Sequence, residues 1–428
     1  MKAEPRALGA CWAPSSDPRW TVRRIKDIAT IINGYPFDAS LFDADGTYPL
    51  VRIRDLDSET TETRYSGEWV EAAAIDTGDV LIGMDGDFNV SVWKGGRALL
   101  NQRMCCVRAE PLMRRFLSYV LPTPLKVAND LTYSTTVKHL SSLDVERITF
   151  VMPPEHLLEP TVNFLDEHTA RIDALIAEKE RLVERLAEYR QSVATFTVTR
   201  GIPGTHKAFV NHSFLGEIPE TWRVGKFHHY VQLRSGQVNP EDERYWDMVL
   251  IAPNHIESGT GRLIRMETAL EQAAESGKYQ CDIGDVIYSK IRPALRKATM
   301  APLPCLCSAD MYPLRGTGGL TNEYLFWYLL SEPFSIFGEQ ESMRVAMPKL
   351  NRETLAYAAI PLPSLEEQTK IVAYIQNAVS SVDSVIEHAK KHVALLREYR
   401  SSLISAAVTG QLDIGGFRGA GALVSSGG

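Results

Sequence analysis

The chain has 428 residues, of which 44% are hydrophobic and 23% are charged, a composition typical of a folded globular protein with roughly two or three domains. It contains no run of about 18 apolar residues that would indicate a transmembrane helix, and its first residues lack the apolar core of a signal peptide. The net charge of −7 gives no sign of DNA binding by itself, but the distribution of charge along the chain matters more than its sum.

The elements follow one another in a regular order. The predicted order is an N-terminal tail, a lobe, a long helix, a linker, a second lobe, a second long helix and a flexible Gly-rich tail, which correspond to residues 1–16, 17–152, 153–200, 201–218, 219–360, 361–410 and 411–428. The acidic excess lies mainly in the first helix, where residues 155–195 carry nine acidic and five basic side chains. Both lobes are therefore near neutrality and can hold local basic faces.

Both lobes show a mixture of short strands and short helices. Stretches rich in apolar and β-branched residues, such as Tyr48–Ile53, Val80–Ile82 and Val286–Tyr288, predict strands separated by turn-forming residues. The segments Phe116–Leu121 and Asn322–Leu330 predict short helices. The predicted fold class is therefore α+β, with two mixed α/β lobes in tandem.

Each lobe is followed by a segment whose apolar residues recur every three or four positions, which is typical of a long helix with a continuous apolar seam. Pro160 fits best in the first turn of a helix, so we expect the first helix to begin near that residue. Ser364 and Glu367 have the spacing of a capping box at the start of the second helix. So long a seam needs an equally long partner, and we predict that the two helices pair as an antiparallel coiled coil; the alternative is that each packs only on its own lobe.

The chain repeats itself once. The motif Glu-Tyr-Arg occurs at 188–190 and again at 398–400, and residues 162–199 match residues 372–409 at 11 of 38 positions without a gap. The lobes repeat more loosely, with a tryptophan near the start of each and a Gly-Asp-Val motif at 78–80 and 284–286. A module of one lobe and one helix has therefore been duplicated.

Motifs for catalysis or metal binding are absent from the sequence. No nucleotide-binding P-loop and no nucleophile elbow is present, so we predict no catalytic residue. Cys305 and Cys307 lack a second pair of zinc ligands nearby, and His388 and His392 lie in the second helix, so no metal site is predicted. The few cysteines, with no C-x-x-C pair among them, favour a reducing, cytoplasmic location.

Charge patterning points instead to nucleic acid. After each Gly-Asp-Val motif the chain has a basic window without acidic residues, at 88–109 and 287–309. Amide and guanidinium groups can read base edges and lysines can hold phosphates. The alternative is that the windows are solvated strand faces. The predicted DNA-binding residues are Lys94, Arg97, Asn101, Gln102, Arg103 and Lys138 in the first lobe and Lys290, Arg292, Arg296, Lys297 and Lys349 in the second.

With these features the sequence resembles the specificity subunits of type I restriction–modification enzymes. The resemblance rests on the repeated order of lobe and helix, the Gly-Asp-Val turns, the lobe openings PRWTV and IPETWRV, and the motifs IPLPSLEEQTKIVAYI and REYRSSLISAAVTGQLDI. It covers nearly the whole chain. The first repeat departs from the family pattern, because PPEHLLEP stands where Leu-x-Glu-Gln is usual.

The resemblance implies a non-catalytic subunit in which each lobe reads one half of a bipartite, asymmetric double-stranded DNA site. The helices would act as spacers and dock methyltransferase subunits, with two such subunits expected, and restriction subunits would join them. S-adenosylmethionine, ATP and Mg²⁺ would belong to those partners, and no cofactor is expected on this chain. We assign partner docking to the repeated motif, which comprises Glu188, Tyr189, Arg190, Glu398, Tyr399 and Arg400.

Three other functions stay open at this point. The chain could be the DNA-recognition subunit of a related defence system with other partners. It could be a coiled-coil scaffold whose lobes bind proteins and not DNA. It could also be an enzyme with its own methyltransferase or nuclease site, which the missing motifs argue against.

Overall fold

The computed structural model describes residues 18–56, 58–131, 138–342 and 349–414, so the predicted N-terminal tail and the C-terminal tail from 415 onwards lie outside the described residues. The chain divides into two compact units. The first contains the residues up to Glu178 and those from Val393 onwards, and the second is Lys179–His392. Each unit therefore combines one lobe with a part of both long helices, and the predicted α+β class is confirmed.

Short strands and helices build the first unit. Its strands are β1 (Thr21–Arg24), β2 (Thr30–Asn33), β3 (Phe42–Asp43), β4 (Tyr48–Val51), β5 (Arg64–Tyr65), β6 (Ala74–Ile75), β7 (Val80–Gly83), β8 (Val90–Val92), β9 (Ala98–Leu100), β10 (Met104–Arg108) and β11 (Thr149–Met152). Its helices are α1 (Pro111–Val120), α2 (Pro122–Leu131), α3 (Ser142–Arg147) and the first part of α4 (Glu155–Arg200).

The second unit has the same kinds of element. Its strands are β12 (Phe209–His212), β13 (Gly216–Pro219), β14 (Arg223–Lys226), β15 (Val231–Leu233), β16 (Gln237–Val238), β17 (Leu250–Ile251), β18 (Lys278–Cys281), β19 (Val286–Ser289), β20 (Ala298–Met300), β21 (Cys305–Cys307), β22 (Met311–Gly316) and β23 (Ala359–Leu362). Its helices are α5 (Phe227–Tyr230), α6 (Asn322–Leu330), α7 (Glu332–Ser342), α8 (Arg352–Ala356), the first part of α9 (Leu365–Val408) and the last part of α4. The last part of α9 belongs to the first unit.

The two lobes have matching sheet topologies, which confirms the repeat. The main sheet has the order β2-β10-β7-β8 in the first lobe and β15-β22-β19-β20 in the second, and both are antiparallel throughout. In each lobe the first and last strands, β1 with β11 and β14 with β23, form a separate antiparallel pair. A parallel strand pair also occurs in the described part of each lobe, β4 with β9 and β17 with β21. The loose sequence repeat of the lobes therefore encodes one common scaffold.

The predicted strands and helices of the lobes are confirmed with shifts of at most two residues at their ends, except that α1 begins at Pro111, five residues before the predicted start at Phe116. All four residues of β7 and of β19 are buried, as expected for short apolar runs in the centre of a sheet. Helix α6 spans the predicted residues because the Thr321 hydroxyl accepts a hydrogen bond from the backbone N–H of Tyr324 at its start. The hairpin of β12 and β13 occupies most of the segment expected to be a linker and extends one residue beyond it, to Pro219.

The first long helix begins earlier than the start near Pro160 that we predicted from the sequence. Helix α4 starts at Glu155, so Pro160 is the sixth helical residue and not part of the first turn. A proline this close to a helix start removes one backbone hydrogen bond, while the rest of the ladder continues. The Thr161 hydroxyl next to it donates to the carbonyl oxygen of Leu157 at 2.7 Å.

The second long helix has the predicted serine cap, but the side chain of Glu367 bonds to residues outside the helix. The Ser364 hydroxyl accepts a hydrogen bond from the backbone N–H of Glu367 at 3.2 Å. The Glu367 carboxylate, however, accepts from Trp222 Nε1 at 3.0 Å and lies 2.6 Å from Nε2 of His206. The neighbouring Gln368 is fully buried and bonds to Thr321 on the other side. Glu-Gln at this position therefore anchors the second lobe and its preceding segment to the helix.

Each unit contains an ion pair between the two long helices. In the first unit, Arg400 Nε of α9 lies 2.8 Å from Oδ1 of Asp173 in α4. In the second unit, Arg190 Nε of α4 lies 2.8 Å from Oδ1 of Asp383 in α9. The early part of α4 thus pairs with the late part of α9, and the late part of α4 with the early part of α9, which is the order of antiparallel helices. The predicted pairing is confirmed, and no helix in the described part of the chain is long and apolar enough to span a bilayer.

The Gly-Asp-Val motifs have a structural role that is the same in both lobes. Asp79 is fully buried and bonds Arg108 of β10, with Nε 3.1 Å from Oδ2, and Arg114 of α1, with NH1 3.0 Å from Oδ1. The glycine before it, Gly78, has a φ of +88°, a conformation that favours glycine at this turn. Burial alone would raise the pKa of Asp79, but its hydrogen bonds and charge interactions with Arg108 and Arg114 lower the pKa overall.

The second lobe repeats this arrangement with one change of position. Asp285 is fully buried and lies 2.8 Å from NH1 of Arg234 and 2.7 Å from NH2 of Arg315. Arg315 lies in β22 as Arg108 lies in β10, whereas the second arginine follows β15 and does not come from the helix. The buried aspartate therefore joins strand and turn in both lobes, and Arg108 of the basic window belongs to this structural pair.

We predict that Asp79→Asn destabilises the chain by about 3 kcal/mol at neutral pH, because it leaves two arginines facing a buried position without a charge. Since the folded-state pKa lies below the ordinary 3.8, the stabilisation is complete above that pH and is lost as the pH falls through the folded-state value. Denaturant unfolding at pH 7 and in acid should show the difference between variant and parent shrinking in acid.

Asp76→Asn is the matched control for that experiment. Asp76 also lies within ion-pair distance of Arg108, at 3.3 Å, but its side chain is half exposed. Its loss should change stability by less than about 1 kcal/mol. If both variants lowered the free energy of unfolding by the same amount, burial of Asp79 would not be the cause of its contribution to stability.

Candidate nucleic-acid interface

Three loops meet at one place in the first lobe. The backbone N–H of Met84, after β7, donates to the carbonyl oxygen of Arg103 at 2.9 Å, and the N–H of Leu140 donates to that of Met84 at 2.8 Å. Asp85 and His139 form an isolated bridge between the same segments. We call the assembly the first loop cluster; its members are Met84, Asp85, Asn101, Gln102, Arg103, Lys138 and His139.

The second lobe has an equivalent assembly. The N–H of Lys290 donates to the carbonyl oxygen of Asp310 at 3.0 Å, and the N–H of Leu350 donates to that of Lys290 at 2.8 Å. The isolated bridge here joins Ile291 to Lys349. This second loop cluster, comprising Lys290, Ile291, Arg292, Asp310 and Lys349, occupies the same place on the scaffold. In each lobe, the fold thus brings predicted residues of the basic window next to a predicted lysine that lies further along the chain. That lysine is Lys138 in the first lobe and Lys349 in the second.

The turn at residues 101–103 presents polar groups on a closely packed backbone. The N–H of Gln102 donates to the carbonyl oxygen of Tyr35 at 2.9 Å, and the side chain of Gln102 is exposed. A Cβ at Gly34 would come within 1.9 Å of the carbonyl oxygen of Asn101, so only glycine allows this approach. Arg103 has a φ of +68°, a conformation that is uncommon outside glycine. Such a held turn can present its amide and guanidinium groups in a fixed geometry.

Charges in the first loop cluster compensate each other. Asp85 lies 2.7 Å from NH1 of Arg103 and 2.8 Å from Nδ1 of His139. Burial would raise the pKa of Asp85, but its hydrogen bonds with His139 and Arg103 lower the pKa overall. Lys138 donates to the backbone and side-chain oxygens of Asn129 at 2.6 and 2.8 Å, which ties the loop to α2.

Lys94 and Arg97 lie in the connection from β8 to β9 and pair with acidic residues distant in sequence. The ammonium of Lys94 lies 2.7 Å from Glu59, and Arg97 pairs with Glu71 while its guanidinium lies 5.2 Å from the ring of Trp69. Exposed pairs of this kind are weak and open readily for a stronger ligand. Both residues stay predicted DNA contacts, but the window that lacks acids in sequence does not lack them in space.

The basic window of the second lobe surrounds a short helical turn at Pro293–Leu295. Arg292 and Arg296 flank it with φ of 48° and 46°, an unusual conformation for arginine that the surrounding structure must maintain. The Lys297 ammonium donates to the carbonyl oxygen of Pro253 at 2.6 Å. Lys290 is buried, whereas Lys349 is exposed.

In the repeated Glu-Tyr-Arg motif, the arginines and the tyrosines have different surroundings. Its arginines, Arg190 and Arg400, form the ion pairs between the long helices. Its tyrosines point outward, since Tyr189 is 58% exposed and Tyr399 is 50% exposed. The aspartates of the two pairs were among the identical positions of the repeat, but the sequence did not reveal that they bind the arginines of the other copy.

Groups suited to metal binding are not assembled in the described residues, where no cluster of three or more potential ligands occurs. Cys305 and Cys307 lie in β21 as buried free thiols beside Cys281. Hydrogen bonding to Cys281 and burial raise the pKa of the Cys305 thiol far above its ordinary value. A protonated, buried thiol is inert toward metals and electrophiles.

Comparisons with known proteins agree on one family. Residues 18–185 and 219–393 both match the family described as "Type I restriction modification DNA specificity domain". The chain is 26% identical over 410 residues to the type I restriction enzyme EcoDI specificity subunit of Escherichia coli, covering 92% of this chain and 88% of that protein. It is 28% identical over 418 residues to the EcoBI specificity subunit of the same organism, covering 92% and 86%.

A solved structure shows the same fold. The structure is described as the basis of complex assembly and conformational transition of the type I R-M system, and one of its chains superposes with a TM-score of 0.63. The match covers 94% of this chain and 100% of that one at 18% identity. The lobe and helix architecture thus occurs in a chain whose sequence has diverged widely.

We predict that Arg190→Ala destabilises the chain more than Arg400→Ala does. The Arg190 side chain is buried and also donates hydrogen bonds to the carbonyl oxygens of Gly259 and Thr260 at 3.3 and 3.4 Å. Its removal leaves these two carbonyl groups without that partner. Arg400 is partly exposed, and its pair with Asp173 should contribute about 1 kcal/mol or less. Denaturant unfolding measures both; a larger loss for Arg400→Ala would contradict this assignment.

Proposed function

The chain belongs to the type I restriction–modification DNA specificity family, and from this membership we propose that it is the non-catalytic DNA-recognition subunit of such a complex. The observation that carries the proposal is the pair of loop clusters. One scaffold, repeated twice, presents different polar and charged side chains at the same place in each lobe. That is what two readers of different DNA half-sites require.

In this proposal each lobe reads one half of a bipartite, asymmetric double-stranded site. The turn at 101–103 offers amide and guanidinium groups for base edges, and the lysines and arginines of both clusters hold phosphates. The long helices set the spacing of the half-sites and dock methyltransferase subunits, two of which we expect. Restriction subunits complete the complex.

The chemistry would belong to the partners. S-adenosylmethionine would bind to the methyltransferase subunits, and ATP and Mg²⁺ to the restriction subunits, and we assign no cofactor to this chain. A cytoplasmic location suits both the DNA substrate and the free thiols of the five described cysteines.

Exchange of one lobe tests the proposal. Replacing residues 17–152 by the corresponding lobe of another specificity subunit should change one half of the methylated site and leave the other half and the spacer intact. Methylome sequencing of a host that expresses the chimera with its partners gives the result. The reciprocal exchange of 219–360 is the control and should change the opposite half.

A change in both halves after a single exchange would contradict independent reading by the lobes. Absence of any sequence-specific methylation by the parent chain with its partners would overturn the proposed function. A salt-sensitive gel shift on duplex DNA separates DNA recognition from a protein-binding scaffold, because phosphate contacts weaken steeply with salt.

Docking of partners generates a second prediction. Tyr189→Ala and Tyr399→Ala should reduce co-purification of methyltransferase subunits at least tenfold when combined, because exposed tyrosines are typical anchors of protein interfaces. Since both rings are exposed, the melting temperature of the free chain should not change. An unaltered yield of complex would remove the tyrosines from the docking surface, while a lowered melting temperature would indicate a structural role.

A further inference from the structure

The second loop cluster collects positive charge around one aromatic ring. The ammonium of Lys290 lies 5.2 Å from the ring centroid of Tyr312, and the guanidinium of Arg352, the first residue of α8, lies 5.6 Å from the same centroid. Arg352 also donates to the Tyr279 hydroxyl at 3.1 Å. Lys349 is exposed and joins the strand-like bridge beside Lys290. Three cationic side chains thus converge at one edge of the lobe.

Two of these cations, Lys290 and Arg352, bond to neutral groups. The Lys290 side chain is only 9% exposed, yet its ammonium donates to the backbone carbonyl oxygen of Ala309 and not to a carboxylate. Lysine is rarely buried without a charged partner, because removing an ammonium from water is unfavourable. Burial and the charges of Lys349 and Arg352 lower the pKa of Lys290, and Asp310 offsets only part of this effect. The buried Lys290 ammonium beside two other cations therefore lowers the stability of the free protein.

The first loop cluster shows that the scaffold does not require these charges. Equivalent hydrogen bonds place Met84, which is 8% exposed, where the second lobe has Lys290. The bridges place His139 where the second lobe has Lys349. Ser142 is the first residue of α3, as Arg352 is of α8. The first cluster contains two cations of its own: Arg103 is paired with Asp85, and Lys138 donates to the oxygens of Asn129.

We propose that Lys290, Lys349 and Arg352 form a phosphodiester clamp that only the second lobe possesses. The clamp would hold a backbone phosphate of the half-site bound by that lobe, with Tyr312 supporting the two cations over its ring. The two lobes therefore grip DNA unequally, and the second half-site adds a phosphate contact to the salt dependence that the first half-site lacks. This inference rests on the proposed DNA recognition and adds how the two half-sites differ.

Substitution by the residues of the first lobe gives the test. In the full chain with its methyltransferase partners, the double variant Lys349→His and Arg352→Ser should lower the slope of log affinity against log salt by roughly 0.9 at pH 8, since the clamp holds one phosphate and each neutralised phosphate contributes about 0.9. Binding to a duplex that contains the mapped site is measured between 50 and 300 mM KCl. Lys370→Ala is the control, because it removes an exposed helical cation that is already paired with Glu366, and its slope should equal that of the parent.

Lys290→Met separates a DNA contact from a structural role. Met84 shows that the site accepts methionine, so the melting temperature of the free chain should rise when the buried charge is removed, while affinity for the duplex falls and the salt slope decreases. A lower melting temperature with an unaltered slope would overturn the assignment of Lys290.

Each outcome is distinguishable from a failure of the proposed function. Tight, specific binding with the parental slope in the double variant overturns the clamp and leaves DNA recognition intact. No specific binding by the parent complex overturns the proposed function. Stabilisation of the free parent chain by millimolar inorganic phosphate, lost in the double variant without a change in DNA affinity, would assign a site for small anions and overturn the clamp on DNA.

Discussion

The buried aspartate of each Gly-Asp-Val motif is the interaction on which both lobes depend. Asp79 and Asp285 are fully buried at the beginning of the central strands β7 and β19, and each bonds two arginines from neighbouring elements. These strands end at Gly83 and Ser289, immediately before the loop clusters. A carboxylate in this position fixes one end of the strand, so that the loop at its other end can vary without loss of the sheet.

The repeat separates what is constant from what differs. Sheet order, the parallel strand pair and the hydrogen bonds that join the three loops are the same in both lobes. Side chains at the loop clusters differ in charge. In the first cluster Arg103 forms an ion pair with Asp85, whereas in the second cluster the positive charges of Lys290 and Lys349 repel each other. The backbone thus provides a common frame, and the electrostatic character of each surface is decided by a few positions on it.

Much of the fold could be predicted from the sequence because its signals are local. The apolar period of the long helices, the Ser364 cap and the short apolar runs act over a few residues, and the elements they predict are confirmed. Pro160 misled the prediction of a helix start because a proline near the beginning of a long helix removes only one hydrogen bond. The hairpin of β12 and β13 was missed because its polar and apolar residues do not alternate clearly.

The candidate site was harder to predict, because ion pairs join residues far apart in the chain. The window around Lys94 and Arg97 contains no acid, yet Glu59 and Glu71 reach both side chains from earlier loops. Arg352 lies outside both basic windows and became visible only when the fold brought it to Tyr312. Periodicity and composition carry no information on such partners, whereas the duplicated scaffold shows which positions to compare.

The reciprocal ion pairs of the helices have an evolutionary consequence. Asp173 from the first copy binds Arg400 from the second, and Arg190 from the first copy binds Asp383 from the second. A substitution in one copy therefore alters a pair whose other member lies in the other gene segment, and no compensating change within the same copy can restore it. This coupling opposes divergence of the two helices after duplication, while each lobe, whose buried aspartate finds its arginines within the same lobe, was free to drift.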